Sequence, residues 1–342
     1  MKTTRRNILK STAALAAAAA TGGLSALPVE ATEEKQKMPR GMAKGLTLLS
    51  MRRNNSAPYT LGVKTDKGIL DVVEASKLLH LFAPATLDDL LQKEHGPALN
   101  TLVETALKSP AAKGAFVKED SIEYGPLLSH PEKVVCVGLN YRKHAQETGA
   151  AVPKEPVLFN KFPTSLNRHN GTVKLPVNLA KKFDYEVELV IVIGKEASNV
   201  AEADALSYAA GYCTGNDFTA RDLQYELDGK QWMIGKALDQ FAPLGPYMVT
   251  ADLIDPDNLK LECRVNGETR QSSNTSDMIA NCRHMISYIS RYILLKPGDI
   301  IFTGTPEGVI QGKPKDKQVW LKPGDKIACS LEKLGELKFE LV

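Results

Sequence analysis

Cysteine is scarce in this chain of 342 residues, and it is scattered. The five cysteines, Cys136, Cys213, Cys263, Cys282 and Cys329, are odd in number and include no Cys-x-x-Cys pair. That spacing argues against a zinc ribbon and against a disulfide framework. Several of them lie in apolar, strand-like runs, where a thiol serves as a small core group. An excess of one charge is lacking too. The formal net charge is +3, and Lys2, Arg5, Arg6 and Lys10 against Glu30 account for all of it. The balanced remainder offers no electrostatic footprint for nucleic acid or an anionic membrane. Long apolar runs are missing: the Ala-rich stretch from Ser11 to Gly23 is too short and too weakly hydrophobic for a stable membrane span. No low-complexity segment follows it. What remains is ordinary globular composition, 43% hydrophobic and 24% charged, with length enough for a large core and two domains.

The N-terminus reads as a leader. Thr4-Arg5-Arg6-Asn7-Ile8-Leu9-Lys10 followed by a mild apolar stretch resembles a twin-arginine signal, with a cleavage site after Val29-Glu30-Ala31. A signal-anchor is the alternative. The expectation is a signal peptide over 1–31, export by the twin-arginine translocase, and a periplasmic location. Folding in the reducing cytoplasm before export fits the missing disulfides. Residues 32–43 read as a flexible spacer.

Residues 44–128 are expected to form a small N-terminal α+β domain. Runs at 45–51, 59–64 and 69–73 read as a β-meander with Asp66-Lys67-Gly68 as a turn. Short helices follow over 74–108, one of them capped by Thr86. From 129 to 342 strands dominate, most clearly at 134–137, 187–193, 260–265 and 300–303. Helices fit 202–210 and 275–292, and Asn266-Gly267 marks a hairpin turn. Lys-Pro-Gly-Asp occurs at 296–299 and again at 322–325, each time as type II turn chemistry before a strand.

The chemistry concentrates in three acids. Glu186 and Glu188 open the apolar, β-branched run from Val187 to Ile193, and Asp217 lies in Gly215-Asn-Asp-Phe218. Side chains alternate along a strand, so the two glutamates share a face. Adjacent carboxylates at the start of an apolar strand repel and cost desolvation energy, and a divalent cation between them offsets both. Hard oxygen ligands in threes suit Mg²⁺, Mn²⁺ or Ca²⁺, with positions left for water or substrate. Read alone, the same pair is also a solvated strand end.

A series of motifs in order resembles the fumarylacetoacetate hydrolase family. They are Val137-Gly-Leu-Asn-Tyr141 with His144 and Glu147, Asp184-Tyr-Glu-Val-Glu-Leu189 with Ile193-Gly-Lys195, and Asn216-Asp217 with Ala220-Arg-Asp-Leu-Gln224. Gly235-Lys236, Pro243-Leu-Gly-Pro246, Val265-Asn-Gly-Glu268, Pro297-Gly-Asp299 and Thr303-Gly-Thr-Pro306 complete the series. The resemblance runs from about residue 44 to the C-terminus.

It implies a β-rich α+β fold: a mixed β-roll catalytic domain behind the small N-terminal domain, assembled as a homodimer. It implies Mg²⁺ or Mn²⁺ on Glu186, Glu188 and Asp217. It makes His144 and Glu147, three apart and therefore neighbours on a helical turn, an acid–base dyad in which Glu147 orients His144. It makes Lys236 the active-site lysine, and it puts Arg221, Gln224, Thr305 and Tyr141 against the substrate. Each has a plainer reading from sequence alone. His144 is a surface histidine on a polar helix or half of a metal pair, Lys236 a solvated lysine, Arg221 a partner of Asp222 or Glu226, and Thr305 part of an ordinary turn. The implied activity is a metal-dependent hydrolase acting on carbon–carbon bonds in ketonic substances, with an acylpyruvate-like 1,3-dioxo acid as substrate. Decarboxylase, isomerase and lyase reactions of related 2-oxo acids use the same chemistry, and a periplasmic 2-oxo-acid binding protein is the non-enzymatic alternative. Residues 149–156 read as a mobile lid. Arg168 and His169 depart from the family pattern, which points to altered specificity.

Overall fold

The structure, a computed structural model, describes residues 39–227 and 231–342. The expected leader over 1–31 lies outside the described residues. At the centre of the fold is the strand Val187–Ile193, buried at every position. Val187, Leu189, Ile191 and Ile193 enter one hydrophobic cluster, and Val190 and Val192 enter a second on the opposite face. A strand covered on both faces needs a continuous apolar run rather than alternation, which is the pattern the sequence shows.

This strand pairs antiparallel with Ala209–Asn216 on one side and Ile300–Phe302 on the other. Beyond Ala209–Asn216 the sheet continues through Ala242–Thr250, Thr47–Arg52, Thr60–Thr65 and Gly68–Asp71. Beyond Ile300–Phe302 it takes Val134–Gly138 in parallel and then Val157–Lys161 antiparallel. The result is a mixed sheet of twelve strands, and a second sheet has five. The first cluster fills the space between the two sheets, with Leu261, Ile327 and Leu337 meeting Leu189 and Ile191 there. The second cluster seats helices Val72–Leu79, Leu87–Gln92 and Gly96–Lys108 on the outer face of the large sheet. The fold is α+β and strand-rich, as expected. Among the described residues no helix is long and apolar enough to cross a membrane.

Local chemistry works where it was legible. Thr86 Oγ1 accepts the Asp89 N–H at 3.1 Å and caps its helix. In the two Lys-Pro-Gly-Asp turns Gly298 and Gly324 hold φ of 94° and 92°. In each the aspartate reaches back to the lysine N–H, at 2.7 Å for Asp299 and 2.9 Å for Asp325. Two helices differ from expectation. Residues 202–208 form a 3₁₀ helix, and Ala209 and Ala210 open a fully buried strand, because pairing with two neighbours outweighs alanine's helix propensity. The expected 275–292 helix spans only Cys282–Ser290. Upstream, the Ile279 and Ala280 N–H groups bond to Asn140, and a backbone used that way cannot continue an α-helix. The buried strand Ala242–Thr250 was not anticipated, because Pro243, Gly245 and Pro246 argue against one.

Arg168 and His169 do not reach the site described below. Arg168 donates to the Tyr59 hydroxyl and the Tyr124 carbonyl and pairs with Glu123, which ties the N-terminal strands to the rest of the sheet. His169 Nδ1 accepts the Lys338 N–H, and its ring packs edge-on to Tyr124. Burial, with the Lys338 charge, lowers the His169 imidazole from 6.5 to about 4. A histidine depressed in the fold is protonated first in the unfolded chain. Its contribution is therefore constant above about pH 6.5, and stability is lost as the pH falls from 6.5 towards 4. Thermal unfolding of His169→Gln across that window should show a shallower decline than wild type. Parallel curves would exclude His169 as a source of acid lability.

Candidate active site

The three acids meet because of strand register. Val187 stands opposite Asn216, so Asp217, one residue past the strand end, stands beside Glu186 and donates its N–H to the Glu186 carbonyl at 2.9 Å. Glu186 and Glu188 share a face by alternation. Glu186, Glu188 and Asp217 are 5%, 2% and 1% exposed, which rules out a solvated strand end. One carboxylate oxygen from each lies within 4.8 Å of the other two.

Three buried cations surround them. Lys236, on the short helix Met233–Lys236, donates to Glu186 Oε2 at 2.6 Å and to Asp217 Oδ2 at 2.8 Å. Gly235 makes this possible, since a Cβ there would come within 2.6 Å of the Ala220 carbonyl. Arg221 donates from Nε to Asp184 at 2.9 Å and from Nη1 to Gln224 at 3.0 Å, and its Nη2 lies 2.6 Å from Glu186. The pairing with Asp222 or Glu226 read from sequence is replaced by these two buried carboxylates. Lys161, which drew no attention in the sequence, ends the strand Val157–Lys161 with its ammonium 2.7 Å from Asp217 Oδ1. Its three protons go to the carbonyls of Phe218, Lys236 and Phe241, and Asp217 Oδ1 is left without a hydrogen-bond donor among the described residues. The only hint of Lys161 was a single lysine closing the run Val-Leu-Phe-Asn.

The charges do not balance. Asp184, Glu186, Glu188 and Asp217 face Arg221, Lys161 and Lys236. Burial alone would raise the Glu186 carboxyl, but Lys236 and Arg221 outweigh it and hold it below the ordinary range. Glu188 has no cationic partner among the described residues and accepts only the Gly304 N–H, at 2.7 Å. Burial, with the Asp217 and Glu186 charges, pushes it well above the ordinary range. A donorless Asp217 oxygen and an uncompensated Glu188 are what a divalent cation would satisfy, and the all-oxygen donor set suits a hard ion. The residues fit the group.

His144 and Glu147 come from the helix Arg142–Glu147, with Nδ1 2.7 Å from Oε1. Glu147 Oε2 accepts the Gly308 N–H at 2.9 Å. His144 is 7% exposed, not a surface residue. It opens onto the same cavity as the triad, about 20 Å³, space for about one water or ion. Arg221, Gln224, Lys236 and Thr305 also line this cavity. Thr305 Oγ1 donates to the Val187 carbonyl and accepts from Gln271 Nε2. Tyr141 is not brought to the cavity wall. It is fully buried, with no partner for its hydroxyl among the described residues.

Residues 133–342 match the model of the fumarylacetoacetate hydrolase C-terminal family. An oxaloacetate tautomerase from rat, Fahd2a, mitochondrial, is 41% identical over 259 residues, 75% of this chain and 80% of that protein. The structure of a fumarylacetoacetate hydrolase from Exiguobacterium antarcticum superposes with a TM-score of 0.68 at 30% identity, covering 86% of this chain and 99% of that one. A fumarylpyruvate hydrolase from Pseudomonas aeruginosa, solved with Mn²⁺ and pyruvate, gives 0.57 at 34% identity, over 62% and 90%. The mitochondrial oxaloacetate tautomerases among the curated relatives correct the periplasmic expectation. Basic, acid-poor, Ser- and Ala-containing starts are shared by several targeting signals, so paired arginines alone do not carry an address. On the family model and the relatives together, this chain belongs to the fumarylacetoacetate hydrolase family.

Proposed function

We propose that this protein catalyses enol–keto interconversion of a small 2-oxo acid of the oxaloacetate type. The observation that supports the reading is one small cavity onto which a buried three-carboxylate cluster and His144 both open, with Glu147 behind the histidine on Nδ1. Glu186, Glu188 and Asp217 would hold a divalent ion, Mg²⁺ or Mn²⁺. When bound, that ion supplies Lewis-acid polarisation of the 2-oxo group. Glu147 engages Nδ1 of His144 and leaves Nε2 to act on substrate. In this reading His144 takes the proton from the carbon next to the keto group and returns it in the reverse direction. Arg221 and Lys236 supply positive charge beside the carboxylate and the developing oxyanion. The small cavity keeps bulk water away from the transferred proton.

Hydrolysis of an acylpyruvate is the second reading, favoured by the likeness to the fumarylpyruvate hydrolase. There the same dyad would activate a water for attack on the distal carbonyl. The two are separated by assaying oxaloacetate tautomerisation and pyruvate release from acylpyruvates side by side, with Mg²⁺ and with Mn²⁺. Faster tautomerisation without carbon–carbon cleavage supports the first reading, and pyruvate release supports the second. A metal-loaded protein that binds these acids and accelerates neither reaction would leave a binding protein.

A further inference from the structure

Asp184 has no role in the reading above, yet it is fully buried and accepts four hydrogen bonds. Oδ1 takes the N–H groups of Tyr185 at 3.0 Å and Ile310 at 2.9 Å. Oδ2 takes Arg221 Nε at 2.9 Å and the Gln311 N–H at 3.0 Å. The loop it holds is the one that receives the dyad. Gly308 donates to Glu147, the Tyr185 hydroxyl bonds the Gly308 carbonyl at 2.9 Å, and a Cβ on Gly312 would collide with the Glu147 carboxylate. One carboxylate therefore clamps two parts of the site from different regions of the chain: the Arg221 guanidinium, aimed at Glu186, and the 308–312 loop, wrapped on Glu147.

We propose that Asp184 is a positioning residue that sets the Glu147–His144 pair and Arg221 in register with one another. It touches no reacting atom and acts through its neighbours. A carboxylate suits this role because all four partners are donors and it is acceptor-only. Asparagine has the same shape, but its amide would turn N–H groups towards Arg221 or the loop, donor against donor. The proposal rests on the dyad reading given under Proposed function, so its test has one arm that needs no substrate.

That arm is amide hydrogen exchange of the 308–312 segment in Asp184→Asn. The amide nitrogen replaces either Oδ1 or Oδ2, so loss of the Ile310 or the Gln311 bond should speed exchange there about tenfold, the scale of one hydrogen bond. The activity arm is steady-state kinetics. The variant should lower kcat roughly 10–100-fold, the usual size for a residue that orients a ligand or base, with KM changed far less. Combined with Glu147→Gln it should be no slower than the slower single variant, because both changes act on one unit. Wild-type exchange at 308–312, or losses that multiply in the double variant, would overturn the proposal. If Asp184→Asn strands the buried Arg221 charge and does not fold, Asp184→Asn/Arg221→Met removes that charge and carries the same exchange measurement. A wild type that turns over no 2-oxo acid would sink the functional reading, while the exchange arm would still decide for or against Asp184.

Discussion

Chelation of divalent ions should abolish turnover, and Mg²⁺ or Mn²⁺ should restore it. Three buried carboxylates converge within 4.8 Å, and one of them, Glu188, has no cationic partner among the described residues. Replacing any one of Glu186, Glu188 or Asp217 by its amide should have the same effect as chelation, since each supplies an oxygen ligand. Binding should also appear as stability. An ion that binds only the folded state at 100 times its Kd adds about 2.7 kcal/mol, which a thermal melt with and without metal resolves. Affinity should weaken on acidification, because burial and its acidic neighbours already push Glu188 towards the protonated form, and a ligand must lose its proton to bind. Full activity in a preparation verified as metal-free would defeat the site assignment.

His144→Ala should lower kcat by about 10²–10⁴-fold, the range for loss of a positioned acid–base group. Affinity for the 2-oxo acid should change much less, because the carboxylate triad, Arg221 and Lys236 remain. The Glu147→Ala substitution should act similarly, since Glu147 holds Nδ1 at 2.7 Å and with it the ring's orientation. The double variant should be little worse than either single one. Equal turnover in wild type and His144→Ala on a confirmed substrate would remove the dyad from the mechanism. A protein that only binds would show no wild-type turnover, and neither substitution would matter beyond local folding.

Much of this site could be read before any coordinates. The acids at 186 and 188 and the pair at 144 and 147 stand at spacings that strand alternation and helical turns bring together, and the family resemblance added Asp217. What could not be read was which partners they meet. Lys161 sits 56 residues before Asp217, and a lone lysine at the end of an apolar strand carries no local mark of its role. Arg221, set against the substrate by the resemblance and beside Asp222 or Glu226 by spacing alone, was turned by the fold to Asp184 and Glu186. The periplasmic reading failed for a different reason: a targeting signal is an address read by a receptor, and its composition overlaps with that of other addresses.

By itself the sequence determined the buried central strand, the shared face of Glu186 and Glu188, the helix cap at Thr86 and the two Lys-Pro-Gly-Asp turns. These depend on periodicity and on the φ preferences of nearby residues, and both are local. The tertiary structure alone decided that Asp217 lies beside Glu186, that Ala209 and Ala210 are strand rather than helix, and that Asp184 links Arg221 to the loop on Glu147. Those outcomes follow from strand register and from satisfying buried charge. Both depend on residues far apart in the chain, whose encounter no local propensity encodes.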